Sequence, residues 1–186
     1  MRDFVKEKSD AKNSYGKYSF LLLSLLVFGG GYTLLVTGVG QLFFNEQANG
    51  SQVTNDGKVI GSKLIGQPFE STRYFSGRNE KVSQLSPVSK EQASRVEQRT
   101  KKQLQENPAQ KEVPVDLVTA SASGVDPNIS VEAANFQVSK IAQERGLKEA
   151  DIYAIIEKNS HKDWFSDRKY VNVLQLNLSL DQMSDS

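Results

Sequence analysis

The sequence predicts an α+β protein in which one N-terminal transmembrane helix precedes a small mixed α/β domain outside the cytoplasm. Three observations support this prediction: an uncharged apolar run near the N-terminus, basic residues gathered ahead of that run, and helix-like and strand-like patterns mixed after it. We expect a cytoplasmic tail at 1–17, a transmembrane region at 18–45 and a globular domain at 46–186.

The transmembrane region is predicted from length and composition. Residues 18–45 contain no charged side chain, and 20–44 are dominated by Leu, Val, Phe and Gly. About 20 apolar residues cross a bilayer, whereas a helix of a soluble protein keeps a polar face. A cleaved signal peptide is the alternative, but its apolar part spans about 7–15 residues and ends at small residues. Here the run is longer and ends in Leu42, Phe43 and Phe44, so we expect it to be retained.

Small residues within the run predict where it packs against other helices. Lipid supplies no hydrophobic force between helices, so their association depends on small residues that allow close approach. The expected packing positions are Gly29, Gly30, Gly31, Gly38 and Gly40.

The flanking charges predict the orientation of the span. Arginine or lysine stands at positions 2, 6, 8, 12 and 17, whereas only Lys58 and Lys63 lie in the twenty residues after Asn45. Basic residues mark the cytoplasmic side of a span. We therefore expect a single-pass protein of the cell membrane, with its N-terminus in the cytoplasm and its domain outside.

Composition argues against several classes of function. Basic and acidic residues nearly balance after Asn45, so the domain lacks the positive surface of a nucleic-acid-binding protein. Cysteine is absent and His161 is the one histidine, which argues against thiolate catalysis and against a His- or Cys-ligated metal. No phosphate-binding glycine loop or nucleophile elbow is present. We expect no catalytic residue, no metal site and no intrinsic cofactor.

The first half of the domain predicts a hairpin, an aromatic loop and an exposed helix. Strands are expected at 51–54 and 58–65, joined by a turn at Asp56-Gly57. Aromatic and arginine residues alternate in 67–79, a pattern that also occurs in single-strand nucleic-acid binding, although the neutral charge favours a loop packed on the core. Residues 89–106 predict a solvated, lightly docked helix with favourable i,i+4 charge pairs.

The second half predicts a strand, a loop, two helices and a closing strand. Residues 113–120 are β-prone but broken at Pro114, and 121–130 form a polar loop that ends at the helix cap Ser130. Helices are expected at 131–145 and 148–158, with Gly146 between them. Apolar and polar residues alternate in 169–181, which predicts a half-buried strand with Leu176 facing the core. The loop 119–130 precedes a helix N-terminus and is either a small-ligand site that favours anions or an ordinary capped turn.

Four segments carry a resemblance to a known family. They are 47–51 (QANGS), 61–69 (GSKLIGQPF), 113–127 (VPVDLVTASASGVDP) and 171–181 (VNVLQLNLSLD), together with the Tyr74-Phe75 pair and Arg78. In this order they resemble the KdpC family, a subunit of the Kdp potassium-transporting P-type ATPase, over nearly the whole chain. Departures occur at Asn79-Glu80, where the family usually has Pro-Ser, and at Asn128, where it often has His.

The resemblance implies partners and a surface. It implies assembly with the potassium-selective, channel-like subunit KdpA and the ATP-hydrolysing subunit KdpB. The small subunit KdpF is a possible further partner. The complex would import potassium at low external concentration, so potassium is handled by the complex. The motif residues expected at the family surface are Gln67, Tyr74, Phe75, Arg78 and Asp126.

Two functions are open at this point. One is a non-catalytic accessory subunit that assembles or stabilises the complex and shapes ion access. The other, also implied by the resemblance, is a catalytic chaperone that binds ATP and raises the ATP affinity of KdpB. For the second, the implied nucleotide-binding residues are Ser121, Ser123, Gly124 and Gln137. The expected orientation favours the first, because ATP is cytoplasmic and the domain is predicted to lie outside.

Overall fold

The computed structural model describes residues 17–55, 57–78 and 85–184. Contacts between residues divide the chain into two units, Met1–Ser51 and Gln52–Ser186, and each unit is described by itself. The predicted fold class is confirmed: an apolar N-terminal helix precedes a small domain that mixes helices with strands.

The first unit contains a long apolar helix, α1, at Lys17–Phe43. Within the described residues it is the one helix whose length and composition suit a membrane span. Leu25–Gly31 within it is π-helical, and Thr33 Oγ1 donates a hydrogen bond of 2.7 Å to the Gly29 carbonyl. A short helix, α2, follows at Asn45–Ala48. The predicted tail at 1–17 lies outside the described residues except for Lys17, so its placement stays a prediction.

The second unit begins with the predicted hairpin. Strands β1 (Gln52–Asn55) and β2 (Lys58–Ser62) pair antiparallel, with an irregularity between Val53 and Thr54. Gly57 has a φ of +75°, a conformation that glycine adopts without strain. Asp56, the other predicted turn residue, lies outside the described residues.

The predicted exposed helix is confirmed as α3, Lys90–Glu106. Ser89 caps it by accepting a hydrogen bond from the Gln92 backbone N–H at 3.1 Å. The predicted charge pairs also form, since Arg95 lies 2.7 Å from Glu91 and Lys101 lies 2.7 Å from Glu97. No residue of α3 is buried among the described residues, so the helix is lightly docked as expected.

The strand predicted at 113–120 is wrong. Val115–Val118 forms a short helix, α4, that begins after Pro114 and buries Leu117 and Val118 side by side. Periodicity cannot separate a short apolar strand from a short buried helix. Here tertiary packing of the adjacent apolar pair outweighs the β-propensity of the valines.

A three-stranded antiparallel sheet and three helices follow. Strands β3 (Asn128–Ser130), β4 (Ser160–Lys162) and β5 (Lys169–Asn172) are ordered β3-β5-β4, so the polar loop predicted at 121–130 ends in a strand. The helix predicted at 131–145 is interrupted at Gln137 into α5 (Val131–Phe136) and α6 (Val138–Arg145). The other predicted helix is α7, Glu149–Lys158. Ser130 caps α5, and Gly146 ends α6 with a φ of +67°, both as predicted.

The closing strand predicted at 169–181 is wrong beyond Asn172. The chain turns there into a helix, α8, at Val173–Ser184. The Asn172 side chain caps it by accepting from the Gln175 N–H at 3.1 Å. The leucines at every second position fit a strand, but Val173, Leu176 and Leu180 also share one helical face and all three are buried. Leu176 therefore faces the core as predicted, although on a helix.

The core lies between the sheet and helices α4 to α8. Its fully buried side chains come from the loop at Phe75, from strands β3 and β5, and from the inner faces of the helices. The largest are Phe75, Ile129, Ile141, Ile152, Val171, Leu176 and Leu180.

Candidate functional site

The segment 74–78, which carries most of the motif residues, has no regular secondary structure and is held by two buried amides. Asn177 on α8 accepts a hydrogen bond from the Phe75 N–H at 2.8 Å and donates one to the Phe75 carbonyl at 3.0 Å. Asn177 is 2% exposed, and Phe75, which was expected at the family surface, is instead fully buried. Because buried backbone groups need partners, this side chain replaces the neighbouring strand that the segment lacks.

Gln137 provides the second amide, at the break between α5 and α6. Its Oε1 accepts from the Ser76 N–H at 2.9 Å and from the Ser76 hydroxyl at 2.8 Å. Its Nε2 donates to the carbonyls of Ser76 and Ala133, each at 3.1 Å. Gln137 is fully buried. Both donors and the acceptor of this amide are therefore engaged within the chain.

Tyr74 is anchored by an arginine and an aspartate. The guanidinium of Arg145 lies 4.7 Å from the centre of the Tyr74 ring, and its Nη2 donates to Asp181 Oδ1 at 2.7 Å. The Tyr74 hydroxyl donates to the other oxygen of Asp181 at 3.1 Å. The Arg145 Nε also donates to the Arg73 carbonyl at 2.7 Å. This cluster fixes the chain on the N-terminal side of Phe75.

Arg78 fixes the other side of the segment. Its Nη1 lies 3.3 Å from Asp126 Oδ2 and 3.9 Å from Asp116 Oδ1. Its Nη2 donates to the Ala120 carbonyl at 3.4 Å. The Arg78 side chain is 18% exposed, so these charged contacts are shielded from water and are stronger than a surface pair. Arg78 and Asp126, named separately from the sequence, are in direct contact.

Asp116 carries the resolved pKa shift of this region. Burial alone raises the pKa of its carboxyl, but the hydrogen bonds from Ser130 and the nearby charges of Arg168 and Arg78 outweigh burial and lower that pKa. The Ser130 N–H donates to Asp116 Oδ2 at 2.9 Å. The ionised carboxylate thus joins α4 to strand β3.

Two serines of the loop 119–128 hydrogen-bond to the loop's own backbone. The Ser121 hydroxyl accepts from the Gly124 N–H at 2.9 Å, and the Ser123 hydroxyl accepts from the Val125 N–H at 3.2 Å. Gly124 has a φ of +74°. The helix that follows is only six residues long and already has its own cap at Ser130. These contacts favour the capped turn over the small-ligand site.

Two motif segments meet at Gly66. Its N–H donates to the Val125 carbonyl at 2.7 Å, and a Cβ at this position would lie 2.6 Å from the Asp126 carbonyl oxygen. Gln67 packs similarly, since its Oε1 would lie 2.8 Å from a Cβ on Gly61. Glycine is therefore required at position 66 by close backbone packing, whereas at position 61 a Cβ would crowd the side chains of Gln67 and Leu174.

Residues 16–182 match the family described as KdpC, the c chain of the K+-transporting ATPase. The chain belongs to the KdpC family. It is 44% identical over 177 residues to the potassium-transporting ATPase KdpC subunit of Methylibium petroleiphilum, a match that covers 87% of this chain and 92% of the relative. It is 40% identical over 182 residues to the protein of the same name from Mycobacterium bovis, covering 89% and 95%.

Membership in the KdpC family assigns the chain to a potassium transport complex. The family description names a subunit of a K+-transporting ATPase, and the chain carries an apolar helix suited to a span. The protein is therefore membrane-associated. Within the described residues, no group of three or more His, Cys, Asp or Glu is placed to hold a metal ion.

The five glycines predicted for helix packing in this KdpC family member leave open surface on α1. A Cβ would meet nothing within 4 Å at Gly30 or Gly38. At Gly29, Gly31 and Gly40 the nearest atoms would lie 3.6 to 3.8 Å away, which is ordinary contact. A Cβ at Gly30 therefore lies in open space among the described residues.

Sequence reasoning missed three residues that hold the site. The strand predicted at 169–181 puts Asn177 on its solvent face. Asp181 ends a quoted motif segment but was given no role, and Arg145 lies in none of the quoted segments. The contacts between Phe75 and Asn177 span 102 residues of sequence. The available signals were the place of Asn177 and Asp181 in the motif segment 171–181 and, for Asn177, a polar residue inside an apolar run.

Proposed function

We propose that the chain is a non-catalytic accessory subunit that anchors and stabilises the potassium transport complex and shapes ion access. The observation that supports this most is that three polar side chains at the motif segments are used to hold other parts of this chain. Gln137, Asn177 and Arg78 all hold backbone or carboxylate groups of this chain. Such an arrangement supports a rigid docking domain rather than a reacting site.

The proposed partners are the other subunits of the complex. The relatives are named potassium-transporting ATPase KdpC subunits. By this reasoning the chain assembles with KdpA and KdpB and with the small subunit KdpF, and α1 packs against their helices in the bilayer. Potassium binds to the complex, and this chain carries no catalytic residue.

The alternative function is the ATP-binding chaperone of KdpB. Of its four implied residues, Gln137 is fully buried and Ser121 is 6% exposed, and both are hydrogen-bonded within the chain. Ser123 is exposed, and Gly124 lies beside it in the same turn. Only a rearrangement of the break between α5 and α6 would free Gln137 for a nucleotide. The need to break the buried hydrogen bonds of Gln137 supports the accessory role over the chaperone role.

Orientation separates the two functions, and the cysteine-free chain allows a direct test. We propose that the N-terminus is cytoplasmic and the domain extracytoplasmic, as the flanking charges indicate. A single cysteine is placed at Val88, which is 93% exposed, or at Ser9 in the tail. In intact cells a membrane-impermeant maleimide should label Val88→Cys and should label Ser9→Cys only after lysis.

The reverse pattern would refute the proposed orientation. A domain that is labelled only after lysis would share its compartment with ATP, and the chaperone function would then be favoured. Co-purification of the full chain with the other subunits from the same membranes tests the subunit role separately.

A further inference from the structure

Two adjacent aromatic side chains project from the domain at the end of the β4–β5 hairpin. Trp164 is 91% exposed and Phe165 is 94% exposed, and we call this pair the aromatic tip. The other phenylalanines described after Ser51 are buried or half-buried. Burial of large aromatic surface is among the strongest contributions to folding, and here that contribution is left unused. The aromatic tip is therefore available to a binding partner.

The loop that carries the aromatic tip is held in one shape by Asp163. The Asp163 N–H donates to the Arg168 carbonyl at 2.9 Å and closes the loop. The carboxylate of Asp163 accepts from the Phe165 N–H at 3.4 Å and from the Ser166 hydroxyl at 3.1 Å. Strand β5, which leads out of the loop, is paired on both of its edges. A prearranged loop loses less conformational entropy on binding than a mobile one.

The charges around the aromatic tip indicate what kind of surface it fits. Every lysine and arginine of the hairpin has a carboxylate partner, and the acidic Asp163 and Asp167 flank the two rings. An anionic lipid surface is attracted by unpaired lysine and arginine, which this hairpin does not offer among its described residues. The pairs are Lys162–Asp167 at 2.6 Å, Arg168–Asp116 at 3.5 Å and Lys169–Glu157 at 3.4 Å.

We propose that the aromatic tip inserts into an apolar socket on another subunit of the potassium transport complex. The inference rests on the proposed function, since it requires that the chain assembles with other subunits. Tryptophan is enriched at the centres of protein interfaces, where it fills desolvated pockets surrounded by weaker contacts. The internally paired charges of the hairpin would form such a neutral rim.

A spectroscopic test uses the fact that Trp164 is the only tryptophan of the chain. The full chain is produced with 5-hydroxytryptophan, which can be excited without exciting the partners' tryptophans. It is studied in phosphatidylcholine nanodiscs, alone and with the other subunits. We expect quenching by aqueous iodide in the chain alone and protection from iodide in the assembled complex.

Two outcomes would overturn the inference. Quenching by brominated lipid in the chain alone would mean that the bilayer receives the aromatic tip. Iodide quenching that is unchanged on assembly would mean that the aromatic tip stays in water.

Matched variants measure the contribution to assembly. Trp164→Ala should weaken association with the other subunits about 30-fold, which is the 2 kcal/mol threshold of an interface hot spot converted at 1.4 kcal/mol per factor of ten. Val88→Ala, at an equally exposed apolar position elsewhere, should leave it unchanged. Failure of the wild-type chain to associate with the other subunits would refute the proposed function. Equal association of the Trp164→Ala and Val88→Ala variants would refute only the proposed insertion of the aromatic tip.

Discussion

The contact between Asn177 and Phe75 makes a quantitative prediction about stability. Asn177→Ala removes both hydrogen bonds and leaves a buried N–H and a buried carbonyl without partners. Each such group costs about 1–3 kcal/mol. Alanine returns about 0.6 kcal/mol through its higher helix propensity in α8. We therefore expect a net loss of about 3 kcal/mol, which for a domain of this size lowers the melting temperature by about 10 °C.

The measurement is thermal unfolding of the full chain in detergent, followed by circular dichroism. Gln175→Ala on the same helix is the control, because the residue is half-buried and its side chain makes no hydrogen bond within the described residues. Substitutions that remove no core packing and no buried hydrogen bond usually alter stability by less than about 0.5 kcal/mol. If Asn177→Ala melts within 2–3 °C of the control, a range equivalent to about 1 kcal/mol or less, the buried amide does not support the loop and the reasoning fails.

Three further predictions address the helix α8, the carboxylate of Asp116 and the span, and a fourth concerns ATP. Leu176→Asp buries an unpaired charge and should lower the stability of the fold by about 4 kcal/mol. Leu178→Asp, at a half-buried position, should lower stability clearly less. Equal melting temperatures for the two variants would contradict the helical register. Because the pKa of Asp116 is lowered on folding, its ionised carboxylate stabilises the fold above its ordinary pKa of 3.8, and this contribution is lost as the pH falls below that value. Asp116→Asn should therefore make the free energy of unfolding less dependent on pH in the acid range. Changing both Gly30 and Gly31 to Leu should leave membrane insertion intact and reduce co-purification with tagged KdpA. Undiminished co-purification would contradict the prediction that these glycines pack against a partner helix. The purified chain, free of KdpB, should not hydrolyse ATP, and measurable turnover would contradict a non-catalytic role.

Local signals account for the elements that were predicted correctly. The uncharged run predicts α1, glycine at position 57 predicts the hairpin turn, and Ser89 and Gly146 mark helix ends. Each of these signals depends on residues within a few positions of one another. They can therefore be read from the sequence without knowledge of tertiary contacts.

The two wrong strands share a physical cause. Both 113–120 and 169–181 are apolar segments whose pattern suits a strand as well as a short buried helix. At the first, the buried pair Leu117 and Val118 decides for the helix, and at the second the cap at Asn172 starts α8. A cap residue next to an apolar run is a signal that could have been weighed. The packing of α4 is a tertiary effect that the sequence does not display.

The resemblance named much of the site but not its contacts. Tyr74, Phe75, Arg78 and Asp126 all lie in the segments that the structure brings together. What holds them is set by partners far along the chain, such as Asn177. Long-range pairing of this kind has no local signature, so the sequence predicts the residues and the structure supplies their roles.

The motif residues and the aromatic tip have different physical roles, which affects how variants should be interpreted. Gly66 is confined by the Asp126 backbone, and Phe75 is held by a buried amide, so changes there act first on folding. Trp164 and Phe165 lie outside the quoted motifs and support no part of the core. A loss of transport caused by a motif variant is therefore ambiguous unless stability is measured with it. A loss caused by a variant of the aromatic tip at unchanged stability would identify contact with a partner.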